Sequence, residues 1–294
     1  MKYDPARAEA LRRPLWQNAL FSALSAVVLI LAPGLVRDFF GAGPSWLFFS
    51  VGIGLLIFAA DLLHQVSRRQ LSPLRAAVSS LADFFWVLGS LIFLVFFHGL
   101  ISQSAALVVA AVAVIVLQFG FRQANGLLNL FREGGAHGKL VYRTEFSTQA
   151  SPEAMWPVIA DLGRISEYAS NLADSRIKGN KQYGRGVIRE CENHAGKAWT
   201  ETCTEFVENR YLVLEFDTAA KGFPFPVSEM TGGWRVDPAD SGSVVQVWWE
   251  LVTKPRWAAF LILPLMVWQV ERDFPVLLSN MEAAAMRNKD GIAL

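Results

Sequence analysis

Few side chains in this sequence stand where their types and spacing could do chemistry. Asp61 and His64 are three residues apart, which puts a carboxylate and an imidazole on one helical face. Asp83 is a second carboxylate inside an otherwise apolar run. Carboxylates in such runs are costly, and they either pair with nearby cations or mark a polar pathway. Cys191 and Cys203 have no CxxC spacing and no histidine cluster, so neither a zinc site nor a disulfide framework is expected. His194 falls in the turn sequence NHAG, where solvent should reach it, and His137 falls in a glycine-containing break. Glu190, Glu201 and Glu205 alternate along strand-like segments and are expected on the outer, wet face. GxSxG, a glycine-rich phosphate loop and HExxH are all missing from the sequence. General acid–base catalysis needs a titratable group inside a pocket. None is read there, so no catalytic residue, metal ligand or cofactor is assigned.

The elements that must position these groups divide in two. Only 18% of the 294 residues are charged, against about 25% in an ordinary soluble domain, and the shortfall points to membrane segments. A span needs about 20 apolar residues. Four stretches qualify: Leu15–Val36, Ser45–Leu63, Val78–Phe97 and Ala105–Phe121. Their short connections predict an antiparallel up-down bundle in a lipid bilayer. Lys2, Arg7, Arg12 and Arg13 precede the first span; Arg68, Arg69 and Arg75 lie between the second and third; Arg122, Arg132 and Lys139 follow the fourth. The opposite side has only Arg37, so the positive-inside rule predicts a multi-pass inner-membrane protein with both termini in the cytoplasm. Asp61 and Asp83 then fall about one turn inside the cytoplasmic boundary. They are expected to pair with His64 or the arginine loop and fix the hairpin, or else to form a polar entry port. A net charge of +1 without a basic stripe gives no case for nucleic acid.

The predicted division is a four-helix membrane domain over 1–133, a linker over 134–139 and a second domain over 140–294. Leu127, Leu128, Leu130 and Phe131 suggest an amphipathic tail of the fourth span lying at the interface. From Leu140 the hydrophobic period changes to two. LVYRTEFST reads as a strand, and ASPEAMWPVIADLGRISEY reads as two short helices capped by Ser151 and Asp161, with Pro157 interrupting the first. Six more strand-like segments follow, separated by turn sequences such as NHAG, VENR and PADSG. A long helix from about Arg256 closes the chain.

The order of these pieces resembles the START-related, polyketide cyclase/dehydrase and lipid-transport (SRPBCC) superfamily. ASPEAMWPVIADLGRISEY, GRGVIRE, TETCTEFVENRYLVLEF and GGWRVDPADSGSVVQVWWEL carry the resemblance over roughly 138–290. It implies a helix-grip fold, α+β, in which an antiparallel sheet wraps the last helix. It also implies an apolar cavity between them, used for lipids, sterols, quinones or polyketides. The N-terminal bundle is matched to no family.

Independently of the resemblance, Val245, Val247, Trp249 and Leu251 share one face of the last strand. Leu212, Leu214 and Phe216 do so on an earlier strand, and Met230 and Trp234 on the one between. A sheet with one large apolar face must be covered by a helix. These residues, with Trp156 and Tyr168, are the expected cavity lining, although pattern alone leaves a filled interior open. The run from Trp257 to Val270 is too short to span a bilayer and apolar all round. One face is expected to close the groove while Trp257, Phe260 and Trp268 touch the membrane or the bundle. Phe223 and Phe225 in KGFPFPV are expected in a membrane-touching loop or gate. The resulting expectation is a membrane-anchored module that binds or transfers a hydrophobic small molecule such as a lipid, isoprenoid or quinone. A cyclase or dehydratase acting on a hydrophobic polyketide-like substrate is the alternative.

Overall fold

The computed structural model describes residues 3–133 and 138–289, so His137 and most of the expected linker lie outside the described residues. The chain forms two compact units, Met1–Leu130 and Phe131–Leu294.

The first unit contains α1 (Pro5–Leu31), α2 (Pro33–Phe40), α3 (Ser45–Ser67), α4 (Pro73–Phe97) and α5 (Gln103–Asn129). Side-chain caps start three of them: Asp4, Ser72 and Ser102 accept from the backbone N–H three residues on. The helices at Pro5–Leu31, Ser45–Ser67, Pro73–Leu100 and Gln103–Asn129 are long and apolar enough to cross a membrane. The expected first span, Leu15–Val36, is in fact two elements. The residue before a proline is driven out of helical geometry, so Ala32 leaves the helix at φ −132° and ψ 45° and Pro33 starts α2.

The tail of the fourth span continues as regular helix to Asn129, and Gly126 lets it press onto α1. A Cβ there would lie 2.8 Å from the Ala10 carbonyl oxygen. Leu127 and Leu130 are buried in consequence.

The two carboxylates fare differently: Asp61 pairs with the arginine loop, as expected, and Asp83 does not. Asp83 is buried and accepts from Asn18 Nδ2 at 2.8 and 3.1 Å and from Gln123 Nε2 at 3.0 Å, which ties α4 to α1 and α5. These are neutral amides on other helices, so Asp83 is neither loop-paired nor open as a port. Asp61 does not pair with His64. It ion-pairs with Arg75 and accepts from Gln65 Nε2 at 2.6 Å, whereas His64 Nε2 accepts from Arg68 at 3.2 Å.

The second unit is built on seven strands: β1 (Leu140–Thr148), β2 (Leu172–Lys178), β3 (Ile188–Asn193), β4 (Ala198–Val207), β5 (Tyr211–Phe216), β6 (Val227–Pro238) and β7 (Ser243–Thr253). All neighbours are antiparallel, in the order β1-β7-β6-β5-β4-β3-β2. Two helices serve this sheet, α6 (Pro152–Ala160) and the 31-residue α7 (Ala259–Lys289), which makes the expected helix-grip arrangement. The second short helix of the opening segment is a 3₁₀ turn over Leu162–Glu167, and neither Ser151 nor Asp161 makes a side-chain cap bond.

Alternation along the strands decides which side chains are inside. Leu212, Leu214, Val236, Val245 and Val247 pack with α6 and with Leu277, Leu278, Met281 and Ala285 of α7. Each leucine or methionine so buried stabilises the fold by about 1.5–3 kcal/mol. This closes one end of the sheet with a solid core.

Candidate ligand cavity

Toward the other end, the inner face of the sheet is not filled. A cavity offers about 170 Å³ to the centres of water-sized molecules. Leu214 and Phe216 of β5, Met230 and Trp234 of β6, and Val247, Trp249 and Leu251 of β7 border it on the sheet side. Leu263, Met266, Val267 and Phe274 of α7 cover it.

In the sequence MTGGW a glycine lets two aromatic walls of the cavity close onto the strand. Gly232 occupies an inward position of β6 between Met230 and Trp234, and it borders the cavity without a side chain. A Cβ there would already lie 3.0 Å from the Phe216 ring and 3.2 Å from the Trp249 ring. The aromatic walls are held by one another. Trp249 is stacked on Tyr142 with ring centroids 6.0 Å apart, and Phe274 meets Trp249 edge-on at 5.0 Å and stacks on Trp234 at 5.9 Å.

Seven of the eleven residues expected to line a cavity border it: Leu214, Phe216, Met230, Trp234, Val247, Trp249 and Leu251. Trp156, Tyr168, Leu212 and Val245 do not; they lie in the solid core. Period-two alternation assigns a face but not a position along the strand, and these four sit where α6 and the second half of α7 fill the space. Trp156 is further fixed by its Nε1–H, which donates to Glu208 at 3.0 Å.

The KGFPFP loop closes down beside the cavity. Phe225 borders it, while Phe223 is wedged among Trp199, Phe216 and Phe225 at centroid distances of 6.2, 6.0 and 5.9 Å. Gly222 lies flat on the start of β4, where a Cβ would fall 2.2 Å from the Ala198 carbonyl oxygen. Trp257, in the 3₁₀ turn Arg256–Ala258 before α7, is 74% exposed; Trp268 of α7 is 47% exposed and Phe260 is half-buried. Arg272 lies 4.9 Å over the Trp268 ring and binds Asp273, which borders the cavity from α7.

The sequence reading missed the polar part of the wall. Glu201, expected on the wet face, is 3% exposed and points inward. Its Oε1 accepts from Trp199 Nε1 at 2.9 Å, and its Oε2 is ion-paired with Arg189, itself buried. Arg189 also donates to the Leu162 carbonyl at 3.4 Å, and its Nε has no acceptor. Arg189, Trp199 and Glu201 all border the cavity.

A β-bulge between Cys203 and Glu205 explains the error. One extra residue reverses which parity faces inward, so Trp199, Glu201 and Cys203 face in while Glu205, four residues after Glu201, faces solvent. Along β3 and the residue before it the signal was present: Val187, Arg189 and Cys191 alternate, and the flanking two are apolar and buried. Desolvation opposes the charge on Arg189, yet the Glu201 carboxylate beside it outweighs this and raises its pKa. Burial pushes the Cys191 thiol up to about 12 and raises that of Cys203 as well. His194 is in its turn as expected, with a ring nitrogen 3.0 Å from the Ser170 carbonyl oxygen.

A family model described as polyketide cyclase / dehydrase and lipid transport matches residues 140–286, half of the chain. Among solved structures, the chain is similar to norcoclaurine synthase from Thalictrum flavum in complex with dopamine and hydroxybenzaldehyde, at 16% identity over 53% of this chain and 94% of that one, with a TM-score of 0.41. It is similar to the Zhui aromatase/cyclase from Streptomyces sp. R1128 at 18% identity over 51% and 94% of the two chains, with a TM-score of 0.41. A third is the di-domain aromatase/cyclase StfQ from the steffimycin biosynthetic pathway, at 12% identity over 62% and 61%, with a TM-score of 0.43. No curated protein matches the sequence.

Proposed function

This chain belongs to the polyketide cyclase / dehydrase and lipid transport family, and on that premise we propose that it binds or transfers a hydrophobic small molecule, a lipid, isoprenoid or quinone, in the cavity beneath α7. The observation that carries this reading is the unfilled, aromatic-walled space bordered by Phe216, Trp234, Trp249 and Phe274. Close packing is the rule in protein interiors, and an apolar hollow of this size invites an apolar guest. The four apolar helices would anchor the chain in the bilayer, and the arginine distribution supports a second unit on the cytoplasmic side. Trp257, Leu265 and Trp268, exposed near Lys254 and Arg256, suit contact with anionic headgroups.

Acid–base work by a cyclase or dehydratase calls for a free acid or base beside the substrate. Glu201 is engaged at both oxygens, by Arg189 and Trp199, which favours binding over acid–base work. Native mass spectrometry of the full chain, extracted in mild detergent, tests the reading. An apolar adduct should accompany the protein and be depleted in Trp249→Ala. Protein that carries no adduct and takes up none when offered membrane lipid extract would refute it.

A further inference from the structure

We propose that an apolar stripe on the first half of α7 docks on an anionic bilayer, and that docking bends this half about Pro275 and draws it off the cavity; the purpose of that motion rests on the binding reading above. Two prolines lie inside α7, Pro264 and Pro275. A proline has no N–H to give the helix and crowds the preceding turn, so the helix bends most readily there. Pro275 also marks a change in what the helix covers. After it, Leu278, Met281 and Ala285 are held in the solid core. Before it, Leu263, Met266, Val267 and Phe274 border the hollow. This half of α7 is thus a cover with a fixed root, a weak point and a length that spans open space.

The same length carries the stripe. Leu261, Leu265, Trp268 and Arg272 recur at spacings of four, three and four, which is one helical face. None of them borders the cavity. Leu265 and Trp268 are exposed, and so is Trp257 in the turn that leads into α7. Large apolar side chains exposed together mark an interaction surface. What flanks them sets the occupant. Lys254 and Arg256 stand exposed before the stripe, and Arg272 lies over the Trp268 ring at its end. Tryptophan and leucine with basic neighbours suit a helix lying in a headgroup layer, where the rings take the boundary and the cations meet anionic lipid. A bilayer is also at hand, since α5, the last of the four apolar helices, ends at Asn129 and β1 starts at Leu140. Insertion of the stripe pulls on the cover while Leu278 and Met281 hold its root. Leu265 lies ten residues before Pro275, about 15 Å along the helix. A bend of about 20° there carries it by about 5 Å.

Spin labels on the full chain in nanodiscs test this. The natural cysteines are both buried, and the natural chain put through the same labelling supplies the background. A nitroxide at Leu265→Cys is read by power saturation in discs of phosphatidylglycerol with phosphatidylcholine and in discs of phosphatidylcholine alone. With the anionic lipid it should be reached by oxygen and not by a water-soluble nickel chelate, and Lys254→Gln/Arg256→Gln should shift it toward water. A label that reads the same in both lipids, or that protein shields from both reagents, would overturn the docking. The motion is read as the distance between labels at Leu265→Cys and Glu215→Cys, the latter an exposed position on β5. That distance should differ between the two lipids by about 3–5 Å. The pair Ser279→Cys/Glu215→Cys, beyond the bend, should read alike in both. Pro275→Ala, at an exposed site, returns an N–H to the helix and should at least halve the change. A distance that does not respond to lipid, or responds fully in Pro275→Ala, would overturn the bend. Apolar adducts in native mass spectrometry are scored separately. A stripe that docks and moves on a protein that never takes up an apolar molecule supports this proposal and refutes the binding reading.

Discussion

Removing one member of the Arg189–Glu201 pair should be far more damaging than removing both. The side chains are 8% and 4% exposed, so solvent screens them little. At an effective dielectric constant of about 20, two unit charges about 4 Å apart attract by about 4 kcal/mol. Arg189→Met leaves Glu201 charged with the Trp199 indole as partner, and Glu201→Gln leaves the guanidinium charged beside the Leu162 carbonyl and a neutral amide. Either change should cost about 3–5 kcal/mol, because the surviving charge stays buried. Arg189→Met/Glu201→Gln removes both charges and retains a side-chain oxygen for Trp199. Its stability should lie within about 1 kcal/mol of the natural protein. For a domain of this size each kcal/mol moves the midpoint by about 2–4 °C, so the single variants should melt ~6–20 °C lower. Thermal unfolding of the full chain in micelles, followed by near-ultraviolet circular dichroism, reads the second unit through its packed aromatic rings. Single variants that melt within 2 °C of the natural protein, or a double variant whose loss equals the sum of the two, would refute a coupled, buried pair.

Three further outcomes are expected. Asp83→Ala should destabilise the bundle by about 1–3 kcal/mol, since the Asn18 and Gln123 amides lose their acceptor in a buried site. Asp61→Ala, at a half-exposed ion pair, should cost less than about 1 kcal/mol. Denaturation in mixed micelles compares the two, and equal losses would contradict the assigned burial. Gly222→Ala should destabilise by about 1–3 kcal/mol or lift the loop off β4, because the added carbon overlaps the Ala198 carbonyl; an unchanged melting temperature counts against that close approach. Cys191, ordinarily ionised near 9.0, is held neutral up to about 12. Its contribution to stability is therefore complete below pH 9 and is lost as pH rises toward 12. Thiol labelling at pH 8 should be slow in the folded chain and fast in denaturant; rapid labelling of the folded protein would show the thiolate is accessible.

Much of the architecture was legible because burial leaves a periodic trace. Each strand from β1 to β7 was found within a few residues, and the inner faces of β5, β6 and β7 followed from Leu212/Leu214, Met230/Trp234 and Val245/Val247. The helix break at Ala32 was equally readable from Pro33, and it was overlooked because hydropathy continues unbroken across it. The partners of Asp83 were not readable in this way. Asn18 and Gln123 are 65 and 40 positions distant, and no local spacing connects them.

By itself, then, the sequence determined that four apolar helices precede an antiparallel sheet gripped by a long helix, because chain composition and period set what each segment can bury. Only the tertiary structure decided where that interior is solid and where it is hollow. The same alternating face is filled at Leu212 and Val245 by α6 and Met281, and left open at Trp234 and Trp249 above Gly232. Only the fold, through one bulge in β4, brought Glu201 round to Arg189. A bulge is a property of paired strands, and a cavity is a property of what packs opposite; neither exists in a single segment read alone.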